Sequence, residues 1–245
     1  MNTVKLFGCN VANLTMEESL NEIEKIIDSR IPTQHVVINA SKVVLMDKDE
    51  KIRNIIKNCK MINADGQSIV WASKLLRKPL TERVTGIDLM ENLIKLSSKK
   101  GYSIYFFGAK EDVVTKVIDI YKNKYSNLKI AGYRNGYFKD DDITDIVNDM
   151  KKSKADIMFV AFSSPKKEYW LANYMEKTGI PFCMGVGGSF DVIAGKTRRA
   201  PVFMQKLGLE WFYRFLQEPR RMWKRYLIGN SKFIQLTFKE INKKY

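Results

Sequence analysis

An apolar run ends in an Asp-Gly pair at Met61-Ile62-Asn63-Ala64-Asp65-Gly66. A carboxylate delivered by a strand end into a crevice can act as a general base. Asp-Gly is also a common turn former, and the pattern alone leaves both readings open. A second run, Phe182-Cys183-Met184, leads into Gly185-Val186-Gly187-Gly188. Closely spaced glycines ahead of a helix present unhindered backbone N–H groups, a geometry that suits a phosphate as well as a plain tight turn. The run is not a dinucleotide fingerprint, because Phe190 stands where the third glycine is required. The same residue removes the P-loop reading of Gly195-Lys196-Thr197.

Charged groups surround these motifs. Asp140-Asp141-Asp142 could hold a metal, but it directly precedes a helical pattern, where carboxylates gain about 0.3–1 kcal/mol from the helix dipole without any ion. Capping is the better reading. Arg83, and Lys166, Lys167 and Glu168 after Pro165, offer charge near the same chain ends, with surface charge as the plain alternative. His35 is the only histidine, so two-histidine zinc motifs cannot be built. Cys9, Cys59 and Cys183 are scattered without a C-x-x-C pair and read as reduced, buried thiols.

These residues must be positioned by alternating strands and helices. Short β-branched or aromatic runs at 35–40, 61–64, 102–107, 156–161 and 182–184 alternate with amphipathic stretches, which predicts an α/β fold with a parallel sheet covered by helices. Thr15 and Glu18 form a capping box for a helix over 15–29, and 41–59 reads as one helix. In such a sheet, ligands bind beyond the carboxyl ends of the strands. Asn39, Asp65, Gly108, Ser163 and Gly185 fall at those ends, so one crevice could gather all five.

Charge divides the chain. The 245 residues carry a net +15, yet residues 196–245 hold 13 Lys and Arg against 3 Asp and Glu, together with ten aromatic residues. The division predicts a core over 1–195 and a basic, aromatic, helical appendage over 196–245 that must bind something or pack on something, and its alternation of apolar and basic residues suits helices lying in a lipid interface. A basic aromatic tail would also suit a nucleic-acid-binding module, but the core has too little positive charge for a groove. A nicotinamide oxidoreductase lacks its fingerprint. No stretch is long and apolar enough to span a bilayer, and no signal peptide is evident at 1–15, which predicts a cytoplasmic protein.

Ordered motifs then carry a resemblance: Asn63-Ala64-Asp65-Gly66, Glu82-Arg83-Val84-Thr85-Gly86-Ile87-Asp88, Phe106-Phe107-Gly108-Ala109, Asn135-Gly136-Tyr137-Phe138 and Pro165-Lys166-Lys167-Glu168. They continue through Gly185 to Asp191, Arg198-Arg199-Ala200-Pro201, Gly208-Leu209-Glu210-Trp211 and Glu218-Pro219-Arg220-Arg221. The chain resembles the WecG/TagA/CpsF glycosyltransferases, glycosyltransferase family 26. That resemblance implies a Rossmann-like catalytic core over 1–195 with a helical C-terminal appendage over 196–245 as membrane contact and active-site lid. It also implies inverting transfer from a UDP-sugar to a sugar on undecaprenyl diphosphate, in making wall teichoic acid or another cell-surface polysaccharide.

By the same resemblance Asp65 is the candidate base and no bound metal or other cofactor is needed. The donor and its diphosphate are expected to meet Asn39, Arg83, Gly108, Tyr137, Lys167, Gly185, Gly187, Gly188, Asp191, Arg214 and Arg221. The enzyme should sit peripherally on the inner face of the cell membrane, and a homo-oligomer is compatible with this. Two residues depart from the family pattern: Val37 replaces a usual Thr, and Lys167 a usual Gln. Both are expected to border the donor, which leaves N-acetylmannosamine, N-acetylmannosaminuronic acid and glucose open. A cation at position 167 would suit the carboxylated sugar.

Overall fold

Alternation of apolar strands with amphipathic helices produces the expected parallel architecture. A computed structural model describes residues 1–242, without the side chains of Lys206, Arg221, Lys224 and Arg225. The chain opens with β1 (Thr3–Leu6), β2 (Cys9–Ala12), α1 (Met16–Ser29), β3 (Thr33–Ile38), α2 (Ala40–Lys48), α3 (Glu50–Lys57), β4 (Met61–Ala64), α4 (Gln67–Leu75) and α5 (Gly86–Lys100). It continues with β5 (Ser103–Gly108), α6 (Glu111–Lys124), β6 (Lys129–Arg134), α7 (Ile143–Ser153), β7 (Ile157–Ala161), α8 (Lys166–Thr178), β8 (Phe182–Gly185) and α9 (Ser189–Ile193). The described chain ends with α10 (Val202–Lys206), α11 (Glu210–Gln217), α12 (Pro219–Trp223), a π-helical turn over Lys224–Ile228 and α13 (Gly229–Asn242).

β3 to β8 form a six-stranded, wholly parallel sheet in the order β4-β3-β8-β7-β5-β6, a Rossmann-like core. Every residue of β3, β4, β7 and β8 is buried, as required of a sheet covered on both faces. Phe106, Phe159, Leu93, Val117 and Phe190 share one apolar cluster, and Phe107, Val160, Trp170 and Leu171 another. A third surrounds β3 and β4, where Val36, Ile38 and Ile62 meet Leu6 of the β1–β2 hairpin and Phe233 of α13.

Local chemistry explains most boundaries. The predicted capping box opens α1: Thr15 Oγ1 accepts from the Glu18 amide at 3.2 Å, and Glu18 Oε2 accepts from the Thr15 amide at 2.8 Å. The single helix expected over 41–59 is instead two. Asp49 adopts extended backbone (φ −128°, ψ 106°), and its carboxylate accepts from the Ile52 amide at 3.0 Å, capping α3 from inside the run. Asp competes for backbone donors in this way, which makes it a poor mid-helix residue. Asp140–Asp142 forms a 3-10 turn ahead of α7, with Asp142 Oδ2 accepting from the Lys139 amide at 2.9 Å.

Beyond Gly195 the chain leaves the sheet but returns to it. α13 buries Phe233, whose ring lies 5.5 Å from that of Phe7, and Lys232 Nζ sits 3.7 Å from Asp47 of α2. In contrast, Val202, Phe203 and Leu207 around α10 are more than 60% exposed. No helix among the described residues is long and apolar enough to cross a membrane.

Candidate active site

Sheet order decides which strand ends meet. β4, β3 and β8 are neighbours, and they deliver Asp65, Asn39 and Gly185 to the floor of one cleft of about 620 Å³. Its far wall is built from α11, the Lys224–Ile228 turn and α13, so both regions of the chain contribute. Gly108 and Ser163 do not line it. β7 and β5 lie beyond β8, and each strand adds roughly 4.8 Å of separation. The expected crevice therefore gathers three of the five strand ends.

Asp65 continues the β3–β4 ladder through its amide, which donates to Ile38 O at 2.9 Å. Its Oδ1 accepts from the Gly86 amide, at 3.2 Å, in the first turn of α5. Asn39 is oriented by a double duty: its Oδ1 accepts from the Lys42 amide at 3.1 Å to cap α2, and its side chain also hydrogen-bonds Asp65. Burial pushes the Asp65 carboxyl above its ordinary range, and the Gly86 amide, the charge of Arg83, Asn39 and Lys42 offset only part of that rise. A raised carboxyl is a stronger base once ionised, which suits proton abstraction.

Positive potential converges on this carboxylate. The first residues of α2, α4 and α5 all line the cleft, and α4 begins at Gly66 without a side-chain cap. Arg83 borders Asp65 and reaches across to the appendage, with Nη1 3.1 Å from Glu210 Oε2 and Nη2 3.3 Å from Gln205 O. Glu210 Oε1 also lies 3.7 Å from Arg199 Nε, while Arg199 Nη2 bonds Asp88 at 2.6 Å. Across the cleft, Arg214 approaches the glycine loop so closely that a side chain at Gly188 would come within 3.3 Å of its Nη2. Arg214 Nε is buried and meets no acceptor among the described residues. Gly187 bends the loop at φ +58°, a left-handed conformation that favours glycine.

Other expected donor contacts lie elsewhere. Tyr137 is 71% exposed and, like Gly187 and Asp191, is not part of the cleft lining. Lys167 is buried behind the floor. Its stem lies against Gly185, where a Cβ would sit 2.6 Å from Lys167 Cδ, and its Nζ is 3.1 Å from Glu168. Glu168 also bonds Lys42, and its Oε2 accepts from Ser164 Oγ at 2.8 Å. Burial alone would raise the Glu168 pKa, but the two lysines and these hydrogen bonds outweigh it and hold the carboxyl at about 2. The side chain of Arg221 lies outside the described residues. The sequence reading assigned no role to Lys42, Arg199 or Glu210; Arg199 and Glu210 stood within quoted motifs, but the partners of all three lie more than a hundred residues away, so no local pattern shows what they pair with.

Residues 4–245 match the family described as Glycosyl transferase WecG/TagA/CpsF. The chain belongs to this family. It is 32% identical, over all of its length and 94% of the relative's, to the N-acetylglucosaminyldiphosphoundecaprenol N-acetyl-beta-D-mannosaminyltransferase of Bacillus subtilis strain 168. It is 30% identical to the protein of the same name from Staphylococcus aureus strain MW2, over 98% of this chain and 92% of that one. In this glycosyltransferase the cleft places Asp65 among arginines and helix N-termini.

Proposed function

We propose that this glycosyltransferase moves N-acetylmannosamine from UDP to a sugar carried on undecaprenyl diphosphate, at the membrane surface, without a metal, in building a cell-surface polymer such as wall teichoic acid. The observation that carries the reading is Asp65, raised in pKa on the cleft floor, facing an arginine with a buried, unpartnered nitrogen across the glycine loop. Asp65 takes the proton of the acceptor hydroxyl as that oxygen attacks the donor carbon. The bond to the diphosphate breaks on the opposite side, which inverts the carbon. Arg214, Arg83 and the helix N-termini receive the charge that accumulates on the leaving diphosphate. Those groups meet the electrostatic need that a metal ion serves elsewhere, and Asp140–Asp142 does not line the cleft.

Donor choice follows from the relatives, which are named as N-acetylmannosaminyltransferases. The case for a carboxylated sugar rested on Lys167, and that charge is directed at Glu168 behind Gly185 instead. Purified enzyme should be given UDP-N-acetylmannosamine, UDP-N-acetylmannosaminuronic acid or UDP-glucose with an undecaprenyl diphosphate-linked N-acetylglucosamine, and lipid product followed by mass spectrometry. Product with the first donor only is expected. Asp65→Asn should lower turnover by about 10²–10⁴-fold while retaining UDP binding. Near-normal turnover by folded Asp65→Asn enzyme removes Asp65 from the chemistry.

A further inference from the structure

Resting on the lipid-acceptor reading, we infer that the outer part of the cleft, between α4 and α13, is a groove for the polyprenyl chain of the acceptor. α4 starts at the reacting floor and runs away from it. Trp71 and Leu75 lie six and ten residues beyond Asp65, roughly 9 and 15 Å along a helix that rises about 1.5 Å per residue. Both line the cleft and both are 55% exposed. They are four residues apart and so share one helix face.

The opposing wall repeats this arrangement. On α13, Ile234 and Phe238 are also four residues apart, line the same cleft, and are 54% and 56% exposed. Their neighbours Phe233 and Thr237 are buried, so α13 is anchored to the core independently of this ridge. α4 is likewise held by buried Ile69, Val70 and Ala72. Neither helix needs its outward ridge to fold.

Charge within the cleft is segregated. Arg83, Arg198, Arg199 and Arg214 line the inner and α11 side, whereas no described residue of α4 or α13 that lines the cleft is ionised. An amphipathic acceptor has the same order: sugar at the base, diphosphate at arginine, hydrocarbon beyond. Bilayer contact has its own candidate in Val202, Phe203 and Leu207, which lie outside the cleft lining. The groove is therefore assigned to one chain of one lipid, separate from the membrane-facing surface.

Two acceptors with identical sugar diphosphate heads, one undecaprenyl and one geranyl, should be compared in detergent using the full chain. In Leu75→Glu and Phe238→Glu the ratio of kcat/KM for long over short acceptor should fall about tenfold or more, and Phe238→Leu should restore most of it. An unchanged ratio overturns the groove, as does an equal fall with both acceptors. A second arm does not depend on turnover. A polyprenyl diphosphate with a diazirine early in its chain should crosslink to peptides of α4 and α13; labelling confined to α10 would assign the chain to the bilayer surface, and labelling across two protein copies to a dimer, and either overturns the proposal. Crosslinking in the groove with no sugar transfer to either acceptor would leave the groove standing and refute the transferase substrates instead.

Discussion

Glu168→Gln isolates the charge cluster behind the site. Glu168 is fully buried between Lys42, 5% exposed at its side chain, and Lys167, at 10%. Its carboxyl is held at about 2 against an ordinary 4.5, a gap worth roughly 3 kcal/mol at about 1.4 kcal/mol per unit. Because the folded value is the lower one, this stability is present above pH ~4.5 and is lost as pH falls toward ~2. Glutamine keeps the shape but leaves two buried ammonium groups facing a neutral amide, a loss of about 3–5 kcal/mol at neutral pH. Urea unfolding followed by tryptophan fluorescence at pH 7 and pH 3.5 measures both quantities. The variant should lose about 3–5 kcal/mol at pH 7, and the difference from wild type should shrink at pH 3.5. A loss below about 1 kcal/mol, or a difference that does not change with pH, would refute the idea that this carboxylate is needed to keep the lysines inside. Since Gly185 rests on the Lys167 stem, variant protein that folds should also show a raised KM for the donor.

On the proposed role of Asp65 as base its carboxyl must be ionised, and burial raises that carboxyl, so activity should fall with acidity through a value above the ordinary ~4; an acidic limb of kcat/KM at or below 4 contradicts this. Arg83→Gln removes a charge that opposes the rise and should move that limb further up. Arg214→Ala should lower kcat/KM roughly tenfold to a hundredfold, the size of a charge-assisted hydrogen bond, with little change in melting temperature. Transfer should persist in excess EDTA, and restoration by Mg²⁺ after its loss would require a metal site. Phe203→Glu should weaken sedimentation with anionic vesicles while leaving UDP binding intact; undiminished sedimentation would move the membrane contact away from α10.

The parallel core was legible because most of its strands are short apolar runs and the stretches between them are amphipathic at helical spacing. Three elements were not. β1 and β2, at four residues each, are too short to establish a strand period, and β6, at the sheet edge, is partly exposed along most of its length. Strand order has no local signature, so Gly108 and Asp65 looked equivalent although the sheet separates them. Asp65 could be found because Asp-Gly ends a buried strand. Lys167 was expected beside the donor, but its stem is buried against Gly185 of β8, a neighbour that sheet packing supplies and no local pattern announces. The aromatic content of the C-terminal region was visible, but not its division into buried Phe233 and exposed Phe203.

That division bears on how the cleft reaches its working shape. Glu210, the first residue of α11, places one carboxylate between Arg83 of the core and Arg199 of the chain leading to the appendage. Without it these cations would repel one another beside Arg198 and Arg214 at the cleft wall. With it, Arg83 is held near Asp65 before any substrate binds. Asn39 is held similarly, by capping α2, and Arg214 by its position against Gly188. Dipoles and charges fixed in advance need little reorganisation when charge moves onto the diphosphate, and this is the largest electrostatic advantage a site can have over water. The α13 helix, anchored on α2 and Phe7, then serves as a fixed wall on the side where the cleft is apolar, so the acceptor's hydrocarbon and its diphosphate meet two surfaces that are each held by the core.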